Sequence, residues 1–213
     1  MPLQNRVDPF GAIHAHPARG AFTGNRGVIH DPATRTLLSR RWTTKAWIVC
    51  DLVHPRAARR QPMGRNAPSG NAGWTELFFL DEVTALAAGH RPCFYCRREA
   101  ARRFATTFAA GQGRASMTAA EIDAILQKER MASGGPAVPV EDIASLPDGA
   151  MVAIDGVPHA LQAGHALAWS FEGYESPLPL AEIATPALLL TPPATIAALR
   201  QGYAPRWPSK HPP

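Results

Sequence analysis

Trp47-Ile48-Val49-Cys50-Asp51-Leu52-Val53-His54 and, further along, Ala88-Gly89-His90-Arg91-Pro92-Cys93-Phe94-Tyr95-Cys96-Arg97-Arg98 are the two stretches on which the reading of this chain turns. Trp47-Ile48-Val49 is a short apolar run of strand type that leads straight into Cys50. His54 follows Cys50 with three residues between, and Cys96 follows Cys93 with two. Cys-x3-His with Cys-x2-Cys is the arithmetic of a tetrahedral Cys₃His zinc site: two ligand pairs on tight turns, joined by the metal. No cysteine is left over, since these are the three the chain has. A redox Cys-x2-Cys sits at a helix start after a strand, whereas this one follows a helix and a glycine turn. The bland alternative is that the cysteines are buried as small hydrophobes. Within the ligand set His54 has two competitors, His90 and Asp51.

Around these stretches the punctuation outlines an α+β chain. Residues 1–40 are dense in glycine and proline, which blocks a long helix; short strands are expected near Ala21–Phe22 and Leu37–Leu38. Residues 55–73 are polar, basic and rich in glycine and proline, the composition of an exposed, mobile loop. Leu77 to Leu80 reads as an apolar strand, and Asp81 caps a helix that Gly89 ends. A second helix runs from Arg97 to Ala110, with an apolar stripe at Ala100, Phe104 and Phe108. Thr118 and Glu121 form a capping box for a third, which Gly134-Gly135-Pro136 ends. Ala150 to Ile154 before Asp155-Gly156 signals a hairpin that returns along Val157 to Leu161, with a further strand at Ala166 to Phe171. Leu188 to Leu190 is a short buried strand, Pro193 to Gln201 a helix, and the tail from Pro205 is expected to fray. The expected organisation is an Arg-rich zinc module over 1–110, a helical connector over 111–145 and a small β-rich region over 146–213 packed on the first.

Composition excludes several classes. The chain has 213 residues, 46% of them apolar, enough for a real core. No apolar run reaches the roughly 18 residues of a membrane span, and the first residues lack the apolar stretch of a secretory signal. A cytoplasmic protein with reduced thiols is the expectation. Charge is uneven: residues 1–110 carry 16 basic against 7 acidic side chains, a net of +9, and residues 111–213 carry −4, giving +5 for the chain. All but Lys45 of that N-terminal excess is arginine, the side chain suited to phosphate and to base stacking.

The stretch from Trp47 to Arg98 resembles the zinc-binding N-terminal domain of the Ada DNA-repair methyltransferases, over about 50 residues. The pattern is a strand into Cys50, a loop, Phe78-Phe79, a helix and Ala-Gly-x-Arg-Pro-Cys-x-x-Cys. The resemblance implies zinc held by Cys50, Cys93, Cys96 and the residue at 54, Cys50 as acceptor of a methyl group from methylated phosphotriesters, and arginines on the DNA backbone. Those arginines would be Arg56, Arg59, Arg60, Arg65, Arg91, Arg97 and Arg98. This chain departs from the family by carrying His54 where the family has its second cysteine. Three thiolates and a neutral histidine on Zn²⁺ leave a net −1, against −2 for four thiolates, so the Cys50 sulfur is less electron-rich. The loop between the ligand pairs is long, no helix-turn-helix module follows, and there is no Pro-Cys-His-Arg acceptor motif.

The leading expectation is therefore a zinc protein that binds DNA, with alkylation repair through Cys50 as its sharper form. The alternative is a structural zinc in an enzyme or adaptor whose site lies among His14, His16, Asn25 and His30. Trp169, Phe171 and Tyr174 are core or packing residues, or a base-stacking platform.

Overall fold

The computed structural model describes residues 1–53, 61–67, 69–132 and 135–208. The first half builds one mixed sheet. Its strands are β1 (Gln4–Val7), β2 (Ile13–Ala15), β3 (Phe22–Asn25), β6 (Ile48–Asp51), β7 (Leu77–Phe79) and β8 (Arg91–Pro92), with a separate ribbon of β4 (His30–Asp31) and β5 (Thr36–Leu37). The order is β2-β1-β7-β3-β6-β8; β1·β7 and β6·β8 are parallel and the other pairings antiparallel. Gly24 permits the closest packing here, since a Cβ on it would lie 2.2 Å from the Ile48 carbonyl oxygen of the neighbouring strand. Pro92, which has no N–H, is tolerated because β8 is an edge strand.

Helix α1 (Glu82–Ala87) follows β7, and α2 (Arg98–Gly111) and α3 (Ala119–Met131) follow β8. The second half is an antiparallel sheet of β9 (Ala137–Val138), β10 (Met151–Ile154), β11 (Val157–Gln162), β12 (His165–Ser170), β13 (Gly173–Pro179) and β14 (Ala187–Leu189), ordered β13-β12-β11-β10-β14-β9. The short α4 (Val140–Ile143) precedes β10, and α5 (Pro193–Arg200) closes the chain. Asp155 and Gly156 both have positive φ, 49° and 81°, the type I′ hairpin geometry that their sequence signals.

Helix α1 is the pin between the halves, and all six of its residues are buried. Ala85 packs with the first sheet (Val7, Phe22, Val49, Phe79), Leu86 with the second sheet and its helices (Phe104, Phe108, Ile122, Val152), and Val83 and Ala87 with Met151 and Ala160. A helix apolar on every face is one with structure on every face. Helix α2, read from sequence as part of the N-terminal unit, packs extensively on α5. The seam is also bonded: Tyr174 O–H donates to Asp81 at 2.7 Å and Trp169 Nε1–H to Thr84 Oγ1 at 2.9 Å.

Helices α1, α2 and α5 fall within a residue of their sequence signals; α3 has the Thr118–Glu121 capping box and ends at Met131, and the short α4 is not expected from sequence. Four expectations are corrected. The N-terminal segment contains β1 and β2, whose pattern is masked in sequence because the inward Asn5 is polar. Of the loop over 55–73, Met63 is fully buried and its N–H donates to Glu76, so this part packs on the body; residues 54–60 and 68 lie outside the described residues. The tail does not fray at Pro205: Tyr203 and Pro205 are buried and Arg206 is paired through its backbone with Glu82. The stripe of α2 is Ala101, Phe104 and Phe108, with Ala100 only half-buried. Among the described residues no helix is long and apolar enough to cross a membrane.

Candidate metal centre

Cys50 is the third residue of β6, on the opposite side of the strand from the buried Val49. Parallel pairing sets Val49 beside Pro92, and the Cys93 N–H extends that ladder to the Val49 carbonyl at 3.0 Å. Cys93 is thereby delivered next to Cys50. The chain then turns tightly: Arg97 N–H donates to the Cys93 carbonyl at 2.9 Å and Tyr95 N–H to Cys93 Sγ at 3.4 Å. Cys96 ends the turn just before α2. The three sulfurs lie within 4.8 Å of one another, and none is in a disulfide. Tetrahedral Zn–S bonds of about 2.3 Å place sulfurs about 3.8 Å apart, so these three side chains can hold one metal ion.

Two buried ion pairs brace this turn. Arg91 donates Nε and Nη2 to Asp123 of α3, both at 2.7 Å, and Arg97 donates Nη1 and Nη2 to Glu82 of α1, both at 2.8 Å. Each arginine is only 5% exposed. Glu82 also accepts from Tyr203 O–H at 2.6 Å and from Arg206 N–H at 2.9 Å. Burial, then the Glu82 charge, pushes the Tyr203 phenol well above its ordinary range, so it stays a donor. The residues that bracket Cys-x-x-Cys therefore fasten the turn to two helices.

The sulfurs share their protons. Hydrogen bonds from Cys50 and then Cys96 pull the Cys93 thiol well below its ordinary range. Hydrogen bonding to Cys93 and then to Cys96, followed by burial, holds the proton on Cys50 far above the usual thiol range. On Cys96 the pull of Cys50 is outweighed by Cys93 and burial, leaving it at about 11. A divalent ion would displace those protons, so binding is coupled to proton release.

His54, Arg56, Arg59 and Arg60 lie outside the described residues. The alternative fourth ligands are both committed elsewhere. Asp51 faces Arg206 Nη1 at 3.2 Å and Arg97 Nε at 3.5 Å. His90 is fully buried between Trp47 and Phe79 and accepts from Arg26. Arg91 and Arg97, expected on a DNA-facing surface, point inward to Asp123 and Glu82; short-range sequence gives no sign of partners 32 and 15 residues away. Arg65 and Arg98 are exposed.

The histidine site does not assemble among the described residues. His14 bonds Asp8 at 2.7 Å, and His14 and His16 both pack on Phe171. His30 is buried elsewhere, between Thr75 Oγ1 at 2.6 Å and the Gly64 carbonyl at 3.2 Å, and Asn25 caps the Gly27 N–H. Trp169, Phe171 and Tyr174 are all used at the seam, not as a stacking platform. Sequence reasoning missed the apolar rim: Leu52 and Val53 after Cys50, and Phe94 and Tyr95 between the other cysteines, are all exposed. It also missed exposed Arg102, one turn along α2 from Arg98. The apolar residue types at the ligand turns, Leu52-Val53 and Phe94-Tyr95, were the available signal.

No family model, curated protein or solved structure matches the chain.

Proposed function

We propose that the chain is a zinc protein in which Cys50, Cys93, Cys96 and His54 hold one Zn²⁺, and that the exposed arginine and aromatic side chains beside this centre bind DNA. The observation that carries the metal is the convergence of three sulfurs, from two separate segments, within 4.8 Å. Soft thiolate donors favour Zn²⁺ over oxygen-seeking Mg²⁺ or Ca²⁺. Bound zinc would supply the positive charge that keeps all three sulfurs deprotonated. The remaining work is done by the chain: the β6·β8 ladder sets Cys50 beside Cys93, and Arg91 and Arg97 lock the turn.

The DNA half of the proposal is supported by the +9 charge of residues 1–110 and by the exposure of Arg65, Arg98, Arg102 and Arg103. Arginines bind phosphate, and the exposed Phe94, over whose ring the Arg91 guanidinium lies at 5.4 Å, adds aromatic surface beside the cysteines. The sharper form gives Cys50 the role of methyl acceptor. Its thiolate attacks the methyl carbon of a methylated phosphotriester; the S–C bond forms as the C–O bond breaks, and the phosphodiester leaves as an anion. Cys93 is buried and its sulfur already accepts the Tyr95 N–H, whereas Cys50, like Cys96, is half-buried, which disfavours Cys93 as the reactive sulfur.

Titration of the zinc-loaded chain with duplex DNA at low and at physiological salt tests the partner. A steep loss of affinity with salt is expected; no affinity at low salt rejects DNA as partner. Mass spectrometry after incubation with methylphosphotriester DNA tests the acceptor: a methyl adduct on Cys50 is expected, and an unmodified Cys50 leaves the zinc without this chemistry.

A further inference from the structure

The three sulfurs of the cysteine corner are not equally placed. Cys93 is buried, and its sulfur accepts the Tyr95 N–H at 3.4 Å. Cys50 and Cys96 are half-buried. These two come from different segments, Cys50 from β6 and Cys96 from the turn that leads into α2. Their flanking residues tie the segments together twice. The Asp51 N–H donates to the Cys96 sulfur, and the Asp51 carboxylate faces Arg97 Nε at 3.5 Å. The residue after Cys50 is thus bound both to Cys96 and to the residue after it. All three sulfurs lie within 4.8 Å of one another, and none is in a disulfide.

A disulfide needs an S–S separation of about 2.05 Å. Sulfurs that start within 4.8 Å can close to that length chiefly by side-chain rotation. Oxidation of cysteine follows access to the reagent and a second sulfur poised to resolve the product. Cys50 and Cys96 meet both conditions, whereas Cys93 lacks the access. The frame that opposes them does not depend on a metal. Arg97, next to Cys96, is held by Glu82 at 2.8 Å, and Arg91 on the other side of the turn by Asp123 at 2.7 Å. Asp51, next to Cys50, is held from the C-terminal segment by Arg206 at 3.2 Å. Loss of a metal would therefore leave the two sulfurs facing each other rather than let them part.

We propose that hydrogen peroxide oxidises Cys50 and Cys96 to a disulfide and so closes the metal site. One of the two thiolates attacks a peroxide oxygen. The S–O bond forms as the O–O bond breaks, and the departing hydroxide takes a proton and leaves as water. The second thiolate attacks the sulfur of the resulting sulfenic acid. The S–S bond forms as the S–O bond breaks, and this hydroxide also leaves as water after taking a proton. Two thiolates, one hydrogen peroxide and two protons give one disulfide and two waters; the sulfurs lose two electrons and the peroxide gains them. Two of the four proposed ligands are consumed, so a bound zinc ion is released. That release rests on the zinc reading above, while the disulfide itself rests only on the placement of the sulfurs.

The test is a titration of the reduced full chain, purified with its metal, with hydrogen peroxide. It is read by intact mass, by peptide mapping and by a chromophoric zinc chelator. Remaining thiols are blocked with iodoacetamide before digestion, and chymotrypsin, which cuts after Phe94 and Tyr95, separates Cys93 from Cys96. A mass loss of two hydrogens is expected, with Cys50 linked to Cys96, Cys93 alkylated, and one zinc released per disulfide formed. Dithiothreitol should restore the lost mass. Cys93→Ser should form the same linkage; the wild-type map decides the pairing even if that variant does not fold. A chain that carries no zinc when reduced but forms the Cys50–Cys96 disulfide would remove the metal reading and support this one. A linkage of Cys93 to either partner, sulfinic acid in place of a disulfide, linkage only between chains, zinc that stays bound after the disulfide forms, or thiols unchanged by millimolar peroxide would each overturn the proposal.

Discussion

The cysteine corner and the Trp47 corner both bury arginine, and they treat it in opposite ways. Arg91 and Arg97 each face a buried carboxylate through two hydrogen bonds of 2.7–2.8 Å. Arg26 and Arg130 face backbone carbonyls, a histidine, a glutamine and an indole ring, and keep donors unused. In the first corner the charges cancel and fix the geometry of a turn. In the second no carboxylate comes within ion-pair distance among the described residues, and Asp8, Asp123 and Glu129 act on the two arginines only from farther off. The same residue type is a fastener where a buried carboxylate is supplied and a costly buried charge where only neutral acceptors are. Asp81 is the mirror image of Arg26. Its carboxylate is fully buried and receives only neutral donors, Thr84 N–H and Tyr174 O–H, and burial raises it to about 6.

The largest expected effect comes from removing the metal. Structural zinc contributes on the order of 10 kcal/mol to small folds. Chelator added to the reduced, zinc-loaded chain should therefore lower the melting temperature sharply and speed amide exchange over residues 90–98; an unchanged melt would mean that the two ion pairs suffice to hold the turn. Next comes the contrast between corners. Glu82→Gln leaves Arg97 only the half-exposed Asp51, 3.5 Å from its Nε, and should cost about 3–5 kcal/mol in urea unfolding. Arg26→Met strands only neutral groups, the Gly11 carbonyl and His90, and should cost less, about 1–3 kcal/mol. Equal losses would erase the distinction drawn between the two corners.

Asp81 gives a pH signature. Its folded pKa is raised, so the folded state holds the proton more tightly than the unfolded chain does. That contribution is complete below pH of about 4 and is lost as pH rises through about 6, a fall of about 2–3 kcal/mol. Unfolding free energy measured across this window should decline in the wild type, and Asp81→Asn should flatten the decline. The smallest stability effect belongs to the rim. Arg98→Ala and Arg102→Ala should each change stability by no more than about 0.5 kcal/mol, while each lowers the salt dependence of DNA binding by about one phosphate contact. A large stability loss at either would place these side chains with Arg91 and Arg97.

What was legible in the sequence was local. The ligand spacing, the strand into Cys50, the Asp81 cap with Gly89 beyond it, the Thr118–Glu121 box and the Asp155-Gly156 turn are each decided within a few residues by hydrogen bonds the chain makes to its neighbours. The acceptors of the arginines were not legible, because Asp123 and Glu82 are brought to Arg91 and Arg97 by packing of helices distant in sequence. The Arg206 N–H bond to Glu82 spans 124 positions and holds the start of a tail expected to fray from Pro205. Met63 sits in a stretch whose composition is that of a loop, and only the contact with Glu76 and the core reveals its burial. A cavity beside Trp47 draws its walls from the N-terminal turn, α1, α3 and the β14–α5 junction, so no window of sequence contains it. Of the four ligands expected from sequence, Cys50, Cys93 and Cys96 converge as their spacing implies, and His54 lies outside the described residues.

Elemental analysis of protein purified under reducing conditions tests the central claim most directly. About one zinc per chain is predicted for the wild type, with loss in Cys50→Ser, Cys93→Ser and Cys96→Ser and a partial loss in His54→Ala. A wild-type chain without bound metal, or wild-type zinc content in Cys93→Ser, would contradict it.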